Sequence, residues 1–202
     1  MILLNNLDKS FSNTSVILVD ASLKYDSTVY SDKFVFFVDA EKQVISANLL
    51  DNSYLNIHSN TKYAPLNQNQ VQLFVKEASD KGLKVLDKPK FKYVKVLDKQ
   101  NHPKSEKLFV LTLLENVVSN QTRQLVTNRQ DVKVGDVLVM AMPGTTLLSG
   151  LEILEGEIMG VFSPGMLVSL GSFELEPVSS DLIFATDDKI GTDYEFFVEA
   201  SR

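Results

Sequence analysis

The sequence predicts a small α+β N-terminal domain over residues 1–88, followed by an all-β OB-fold barrel domain over residues 89–202 with a C-terminal strand extension. The first half mixes strand-like apolar runs with one clear helical repeat, whereas the second half is almost entirely short strand-like runs. Between them, "DKPK" at 87–90 places charge and a proline between two apolar segments, which is typical of a domain boundary. With 202 residues, 44% of them apolar, the chain is long enough for two small buried cores.

In the first half, strand candidates precede the helix. The segment "SVILVDASL" at 15–23 is β-branched and apolar, which favours a buried strand. The segment "KFVFFVDAEKQVISANLL" at 33–50 has two apolar runs around the polar "DAEK", which predicts a hairpin.

The helix is predicted over "NQNQVQLFVKEASDKG" at 67–82. Its apolar residues fall at i, i+3, i+4 and i+7 and are Val71, Phe74, Val75 and Ala78. Asn67 or Asn69 can cap its start, and Gly82 can cap its end. The "LKVL" that follows is expected to form a short strand.

The second half predicts seven strands at close spacing. They are "FKYVKVL", "LFVLTLL", "RQLVTN", "VLVMAM", "LEILEGEIMGV", "GMLVSL" and "LIFA". Polar, glycine- or proline-containing turns separate them, for example "NHPKSE", "VKVGD" and "PGTT". Short strands at such spacing indicate a small barrel or sandwich, and their number and length suit an OB-fold.

Composition excludes several classes of function. The absence of cysteine excludes disulfides, thiolate metal sites and a cysteine nucleophile. The two histidines are far apart in sequence, so we predict neither a metal site nor a cofactor. The opening "MILLNNLDK" is too short for a signal peptide, and no run approaches the roughly 18 apolar residues of a membrane span. We therefore expect a soluble cytoplasmic protein with no membrane partner.

Charge is unevenly distributed along the chain. The net charge of −6 consists of −1 over residues 1–88, +4 over residues 89–137 and −9 over residues 138–202. A basic segment inside an acidic protein says more about partners than the total charge does. The segment is either a solvated surface or a site for a polyanion.

No enzyme signature is present in the sequence. It lacks a glycine-rich phosphate loop, a dinucleotide fingerprint, a nucleophile elbow and a His-Glu-x-x-His motif. Asp187 and Asp188 would point to opposite faces of a strand, so a turn is the better interpretation. Glu155 and Glu157 would share a strand face and, with Glu152, are expected to form an exposed acidic edge. We predict that the protein is not an enzyme.

The stretch "HPKSEKLFV" at 102–110 leaves three interpretations open for His102. As a catalytic base it would need a nucleophile and an orienting acid, which the sequence alone does not locate. As a turn residue it would need only Pro103, whose ring fixes the backbone angle. As an anion contact it would act with the lysines around it, namely Lys90, Lys92, Lys95, Lys99, Lys104 and Lys107.

Lysines alternate with aromatic rings in "KPKFKYVKV" at 88–96. Cations for phosphates and rings for base stacking are the combination that single-stranded nucleic-acid grooves use. The alternative is that Phe91 and Tyr93 point into the barrel while the lysines face water.

Several motifs follow one another along residues 89–197. "HPKSEKL" is similar to a His-Pro-x-Ala-Asp-Lys-Leu turn, and "GVFSPGMLVS", followed by "FEL", is similar to a Gly-Val-x-Ser-x-Gly-Met-x-x-Ser signature closed by Glu-Leu. "LIFATDDKIGTDYEFF" is similar to a strand, a turn and a final strand. On these motifs the chain resembles the tRNA-binding OB-fold domain family, found near the N-terminus of the phenylalanyl-tRNA synthetase β subunit. It most resembles the stand-alone YtpR-like members, which place a small domain before the OB-fold.

The resemblance implies non-catalytic binding of tRNA or another structured RNA through a basic face of the OB-fold. Such a face attracts the phosphate line, while exposed bases and 2′-hydroxyls add selectivity. The residues expected to contact RNA are Lys92, Lys95, Lys99, His102, Lys104, Lys107, Arg123, Asn128, Arg129, Ser163 and Ser169.

The chain departs from the family in "LEILEGEIMG" at 151–160. Where the family carries cations this chain has Leu154 and Met159, and Glu152 and Glu155 add negative charge. Each lost phosphate contact weakens RNA binding and its salt dependence. The alternative is therefore a protein–protein interaction or assembly module whose OB-fold has lost RNA binding and which holds a protein partner or a second copy as a homodimer. An enzyme that uses His102 is a third class.

Overall fold

The computed structural model describes residues 1–7, 9–173 and 180–196, together with the backbone of residues 198–199. The chain forms two compact units. The first comprises Met1–Lys88, Gly144–Glu152 and the segment from Glu195 onward, and the second comprises Pro89–Pro143 and Ile153–Tyr194.

The elements of both units follow here in chain order. They are β1 (Leu3–Asn6), β2 (Ser15–Leu18), β3 (Ser27–Tyr30), β4 (Phe34–Val38), β5 (Val44–Leu49), β6 (Thr61–Pro65), α1 (Gln68–Asp80), β7 (Phe91–His102), β8 (Ser105–Asn116), β9 (Gln121–Thr127), β10 (Val137–Ala141), β11 (Thr145–Thr146), β12 (Glu152–Ile153), β13 (Glu157–Ile158), β14 (Val161–Phe162), β15 (Met166–Leu167), β16 (Phe184–Ala185) and β17 (Val198–Glu199). Short 3-10 helices span Asn52–Leu55, Leu170–Phe173 and Asp187–Lys189. Within these described residues, no helix is long and apolar enough to cross a membrane.

The first unit is built on a seven-stranded antiparallel sheet with the order β17-β6-β1-β2-β5-β4-β3. Side chains alternate between the faces of each strand, so β4 turns Phe34, Phe36 and Val38 into the core. The predicted hairpin at 33–50 is confirmed as the antiparallel pair β4–β5.

Helix α1 covers the apolar face of this sheet. It begins after Asn67, whose side chain accepts a hydrogen bond from the Gln70 N–H, while the Gln70 side chain accepts one from the Asn67 N–H. This reciprocal capping box stabilises the first turn and selects Asn67 over Asn69 as the cap. The Phe74 ring lies 5.4 Å from the Phe34 ring, so the predicted helix and its buried face are confirmed.

The predicted fold class, an α+β domain followed by a separate all-β domain, is wrong. Both units are mostly β, and α1 is the one α-helix in the part of the chain that the structure describes. Strands β1, β3 and β6 were not predicted because "LLNN", "STVY" and "TKYAP" are short and partly polar. Strands β1 and β6 pair with each other over a long sequence separation, whereas β3 pairs with the adjacent strand β4. The units are also not separated at a single point of the sequence, since residues 144–152 and β17 belong with the first unit.

The second unit is a curled half-barrel. Its sheet has the order β15-β10-β7-β8-β9, with β16 also paired to β10, and β15 in addition contacts β9. Register shifts at Val96/Asp98 in β7 and at Leu114/Asn116 in β8 mark bulges, which bend and twist long strands. The concave side is filled by buried side chains that include Val94, Val96, Leu111, Leu113, Leu125, Leu138 and Met140.

The predicted strand "LEILEGEIMGV" is not continuous. It is divided into the two-residue strands β12 and β13, and β13 pairs back on β14 in a tight hairpin. The predicted strand "LKVL" is only an isolated bridge from Lys84 to Gln43.

Candidate nucleic-acid interface

The tip of the β7–β8 hairpin carries the two most accessible lysines of the predicted site. Strands β7 and β8 pair up to His102 and Ser105, and the turn between them exposes Lys104. Lys107, the third residue of β8, is exposed where the register shifts next to this turn. In the described part of the chain neither ammonium group has a hydrogen-bond or ion-pair partner within the protein. Both are therefore accessible to an anion from solvent.

His102 fixes the shape of this tip. It is buried, with 4% of its surface exposed, and its Nδ1 accepts a hydrogen bond from the Lys104 N–H at 3.1 Å. Because Nδ1 is an acceptor, the ring proton lies on Nε2, which donates to the carbonyl of Ile158 at 3.0 Å. Of the three interpretations of His102, the geometry favours the turn residue, because both ring nitrogens are bonded to backbone.

Replacing His102 with alanine is expected to destabilise the protein by about 1–3 kcal/mol, because the Lys104 N–H and the Ile158 carbonyl lose their buried partner. Urea denaturation measures this loss. His58→Ala is the matched control, since His58 is the other histidine of the sequence and its side chain is exposed. Equal stability of the two variants would contradict the structural role of His102.

The β13–β14 hairpin ends directly beside Lys104. Its two-residue loop has positive φ at both positions, +52° at Met159 and +86° at Gly160, as a type I′ turn requires. A methyl group added at Gly160 would lie 3.0 Å from Nζ of Lys104. The hairpin tip therefore presents an exposed methionine, with 52% of its surface accessible, next to a free lysine.

Lys95 and Lys99 are both engaged within the protein. Lys95 Nζ lies 2.5 Å from the Asp187 carboxylate. Lys99 Nζ donates to the carbonyls of Gln130 at 2.9 Å and Val132 at 2.7 Å, and it sits 4.1 Å from the centre of the Phe109 ring. Lys99 therefore fastens the loop between β9 and β10. Lys92 is half-buried on β7, with no side-chain partner among the described residues.

The two arginines of the predicted site also form internal ion pairs. The Arg123 guanidinium pairs with the buried carboxylate of Glu115. Burial lowers the pKa of Arg123, and nearby Glu155 opposes that shift. Arg129 binds Asp131 through two hydrogen bonds of 2.9 and 2.6 Å and donates to the Ser180 carbonyl at 2.7 Å.

The aromatic rings of "KPKFKYVKV" contact other aromatic rings of the protein. The Phe91 ring lies 5.0 Å from the Phe173 ring, and the Tyr93 ring lies 5.6 Å from the Tyr194 ring. Burial raises the pKa of Tyr93. These rings pack against other rings of the protein, so they do not form an exposed stacking surface. The second interpretation is confirmed only in part, because Val94 and Val96 fill the half-barrel core from the opposite face of β7 and Lys90 is buried rather than exposed to water.

The glycine- and serine-containing signature at 160–169 holds strands together. The buried Ser163 hydroxyl accepts a hydrogen bond from the Val126 N–H at 3.0 Å. Gly165 has a φ of +132°, and a Cβ atom there would lie 2.8 Å from the Ala141 carbonyl oxygen, so only glycine fits. The Ser169 hydroxyl lies 3.4 Å from that of Ser172. The Glu-Leu pair at 174–175, which closes the signature, lies outside the described residues.

The acidic residues singled out from the sequence are at the surface. Glu152, Glu155 and Glu157 are exposed, as an acidic edge requires. Asp187 and Asp188 begin a short 3-10 helix, in agreement with the predicted turn.

A cavity of about 280 Å³ opens beside the β13–β14 hairpin. It is lined by Leu108, Val126, Thr127, Asn128, Arg129, Ile158, Met166, Leu167, Ser169 and Leu182. Three residues of the predicted site, Asn128, Arg129 and Ser169, are brought together here. Sequence reasoning did not include the apolar wall, because its members come from five separate segments and only the half-barrel brings them into contact.

Comparison with known proteins confirms the family resemblance. The chain is 29% identical over 175 residues to "Putative tRNA-binding protein YtpR" of Bacillus subtilis, covering 83% of this chain and 85% of that protein. It is 34% identical over 102 residues to the phenylalanine–tRNA ligase β subunit of Clostridium acetobutylicum, and 34% identical over 96 residues to that of Thermotoga maritima. These matches cover 49% and 48% of this chain but only 13% and 12% of the two subunits.

No protein-family model matches the chain. Among solved structures, a methionyl-tRNA synthetase-related protein from Pyrococcus horikoshii aligns with 55% of this chain and 99% of its own at 20% identity. Its TM-score of 0.38 is too low to support an argument about the fold.

Proposed function

We propose that this protein is a non-catalytic RNA-binding protein whose partner is tRNA or another structured RNA. The similarity over 175 residues to a protein whose name describes tRNA binding carries the proposal. A tRNA partner agrees with the cytoplasmic location expected from the sequence. The relatives do not favour the alternative of a protein-interaction module.

The free lysines of the OB-like half-barrel provide the charge for this binding. In our proposal Lys104 and Lys107, with Lys92 on β7, contact phosphates, because no protein carboxylate neutralises them in the described structure. Lys95, Lys99, Arg123 and Arg129 instead hold the half-barrel in shape through their internal partners. The number of phosphate contacts is therefore smaller than the number of cations in the sequence.

The engagement of His102 supports a non-catalytic role. A general base needs a free nitrogen within reach of a substrate proton, and both nitrogens of His102 are bonded to backbone groups.

Salt dependence of RNA binding tests the proposal. Two or three lysine–phosphate contacts predict that log K falls with log salt with a slope of about −2 to −3. The measurement is fluorescence anisotropy of nuclease-treated protein with bulk tRNA, from about 50 to about 200 mM salt, the range in which phosphate contacts dominate. Absence of binding at the lowest salt would overturn the proposed function. A slope near zero would overturn the assignment of the lysines.

A further inference from the structure

The cavity beside the β13–β14 hairpin has walls suited to a flat apolar ring. Leu108, Ile158, Met166 and Leu182 contribute side chains to it from separate segments. Its volume of about 280 Å³ lies just below the roughly 300–1,000 Å³ of pockets that hold drug-sized ligands. A single ring system with its sugar at the opening matches this size better than a larger ligand.

Asn128 is the polar group at the rim that is free to bind a ligand. Its side chain is exposed and makes no hydrogen bond within the described structure. Its neighbours are occupied: the Thr127 hydroxyl accepts from the Arg129 N–H at 3.2 Å, and the Arg129 guanidinium is bound to Asp131 and Ser180. A carboxamide offers one acceptor and two donors, which matches the mixed edge of a nucleobase.

The β13–β14 hairpin contacts both this cavity and Lys104. The Ile158 side chain lines the cavity, and the Ile158 carbonyl is held by His102, two residues from Lys104. Lys104 Nζ lies over Gly160, at the tip of the same hairpin. An RNA strand with its phosphates on Lys104 and Lys107 would therefore pass the rim of the cavity.

We propose that this cavity binds one unstacked nucleobase, with Asn128 bonding to the base edge and Ile158 and Met166 packing against its faces. The inference rests on the proposed RNA binding and adds to it the recognition of a single base. Proteins that select RNA by sequence or by loops commonly splay out a base and bond to its edge. The cavity would thus favour single-stranded or loop nucleotides over duplex RNA.

The test compares the wild type with Asn128→Ala, using a single-stranded oligoribonucleotide that carries one 2-aminopurine and a duplex of the same length. We expect the wild type to change the 2-aminopurine fluorescence on binding. Asn128→Ala should weaken single-strand binding by about 5- to 100-fold, the range that a good amide–base pair provides. Duplex affinity and the salt slope should stay unchanged, because the lysines are intact. Asn101→Ala, an exposed asparagine on β7, is the matched control.

The outcomes separate the two proposals. If the wild type binds no RNA at low salt, both the proposed function and the base pocket fail. If it binds both RNAs with a salt slope, but the fluorescence is unchanged or Asn128→Ala binds like the wild type, only the base pocket is overturned.

Discussion

Replacing both Lys104 and Lys107 with glutamate is expected to reduce the affinity for tRNA by at least about 60-fold at about 0.1 M salt. Each phosphate contact releases close to one counterion, which is worth about 8-fold in affinity at that salt concentration. The salt slope should fall by about two, one for each lysine. Anisotropy titrations of the variant and the wild type at several salt concentrations measure both quantities.

This large effect is expected because neither lysine side chain contributes to the stability of the fold. Their side chains are exposed and unpaired among the described residues, so their replacement removes charge without unfolding the half-barrel. Lys24→Glu combined with Lys84→Glu is the matched control, because it makes the same change in net charge at exposed positions of the first unit. If both double variants lose affinity equally, the binding responds to net charge and not to the β7–β8 tip.

Sequence reasoning identified the elements whose stability is local. Helix α1 was predicted because its apolar period and its Asn67 cap lie within 16 consecutive residues, 67–82. The apolar parts of β7 and β8, at 91–97 and 108–114, were predicted because they are rich in β-branched, aromatic and leucine residues. Their polar ends were not, because "NHPKSE" has the composition of a turn. Strands β1, β3 and β6 carry little local signal because they are short and partly polar. In addition, β1 and β6 depend on pairing with each other across most of the first unit's sequence.

In the candidate site, too, the sequence predicts what is local and misses what depends on long-range contacts. The sequence identifies the cations near the basic segment, but it does not tell a free lysine from an engaged one. Lys99 and Lys104 are five positions apart in sequence, yet Lys99 binds three carbonyls of the β9–β10 loop while Lys104 faces solvent. The difference depends on which loop folds back over β7, a long-range contact that no local pattern encodes.

The cations of residues 89–137 therefore fall into two groups, those bound within the protein and those exposed to solvent. Some cations of this segment form ion pairs that shape the half-barrel, as Arg123 does with Glu115 and Arg129 with Asp131. Because both carboxylates belong to the same segment, they are already counted in its net +4. Among the lysines of the predicted site, the two that are exposed and unpaired in the described structure, Lys104 and Lys107, lie at the β7–β8 tip. If RNA binds as we propose, the loss of cations in "LEILEGEIMG" weakens that site without abolishing it, because Lys104 and Lys107 lie on another hairpin.

Replacing Glu115 with alanine is expected to destabilise the protein by about 3–5 kcal/mol, the cost of leaving a partly buried charge without its partner. The register shift between Leu114 and Asn116 places Glu115 at a bulge of β8, which turns its carboxylate inward toward Arg123 on β9. Only 4% of the Glu115 side chain and 20% of the Arg123 side chain are exposed, so water can replace the lost partner only in part.

Two further variants separate the charge effect from the loss of packing. Glu115→Leu combined with Arg123→Met should cost much less than Glu115→Ala alone, because removal of both charges leaves nothing buried and unpaired. Lys76→Ala, which breaks the exposed Lys76–Asp80 pair on α1, should change stability little. Urea denaturation gives the free energies, and hydrogen exchange should place the loss in β8 and β9. If Glu115→Ala were as stable as Lys76→Ala, the ion pair would not hold the half-barrel, and Arg123 would become available as a further RNA contact.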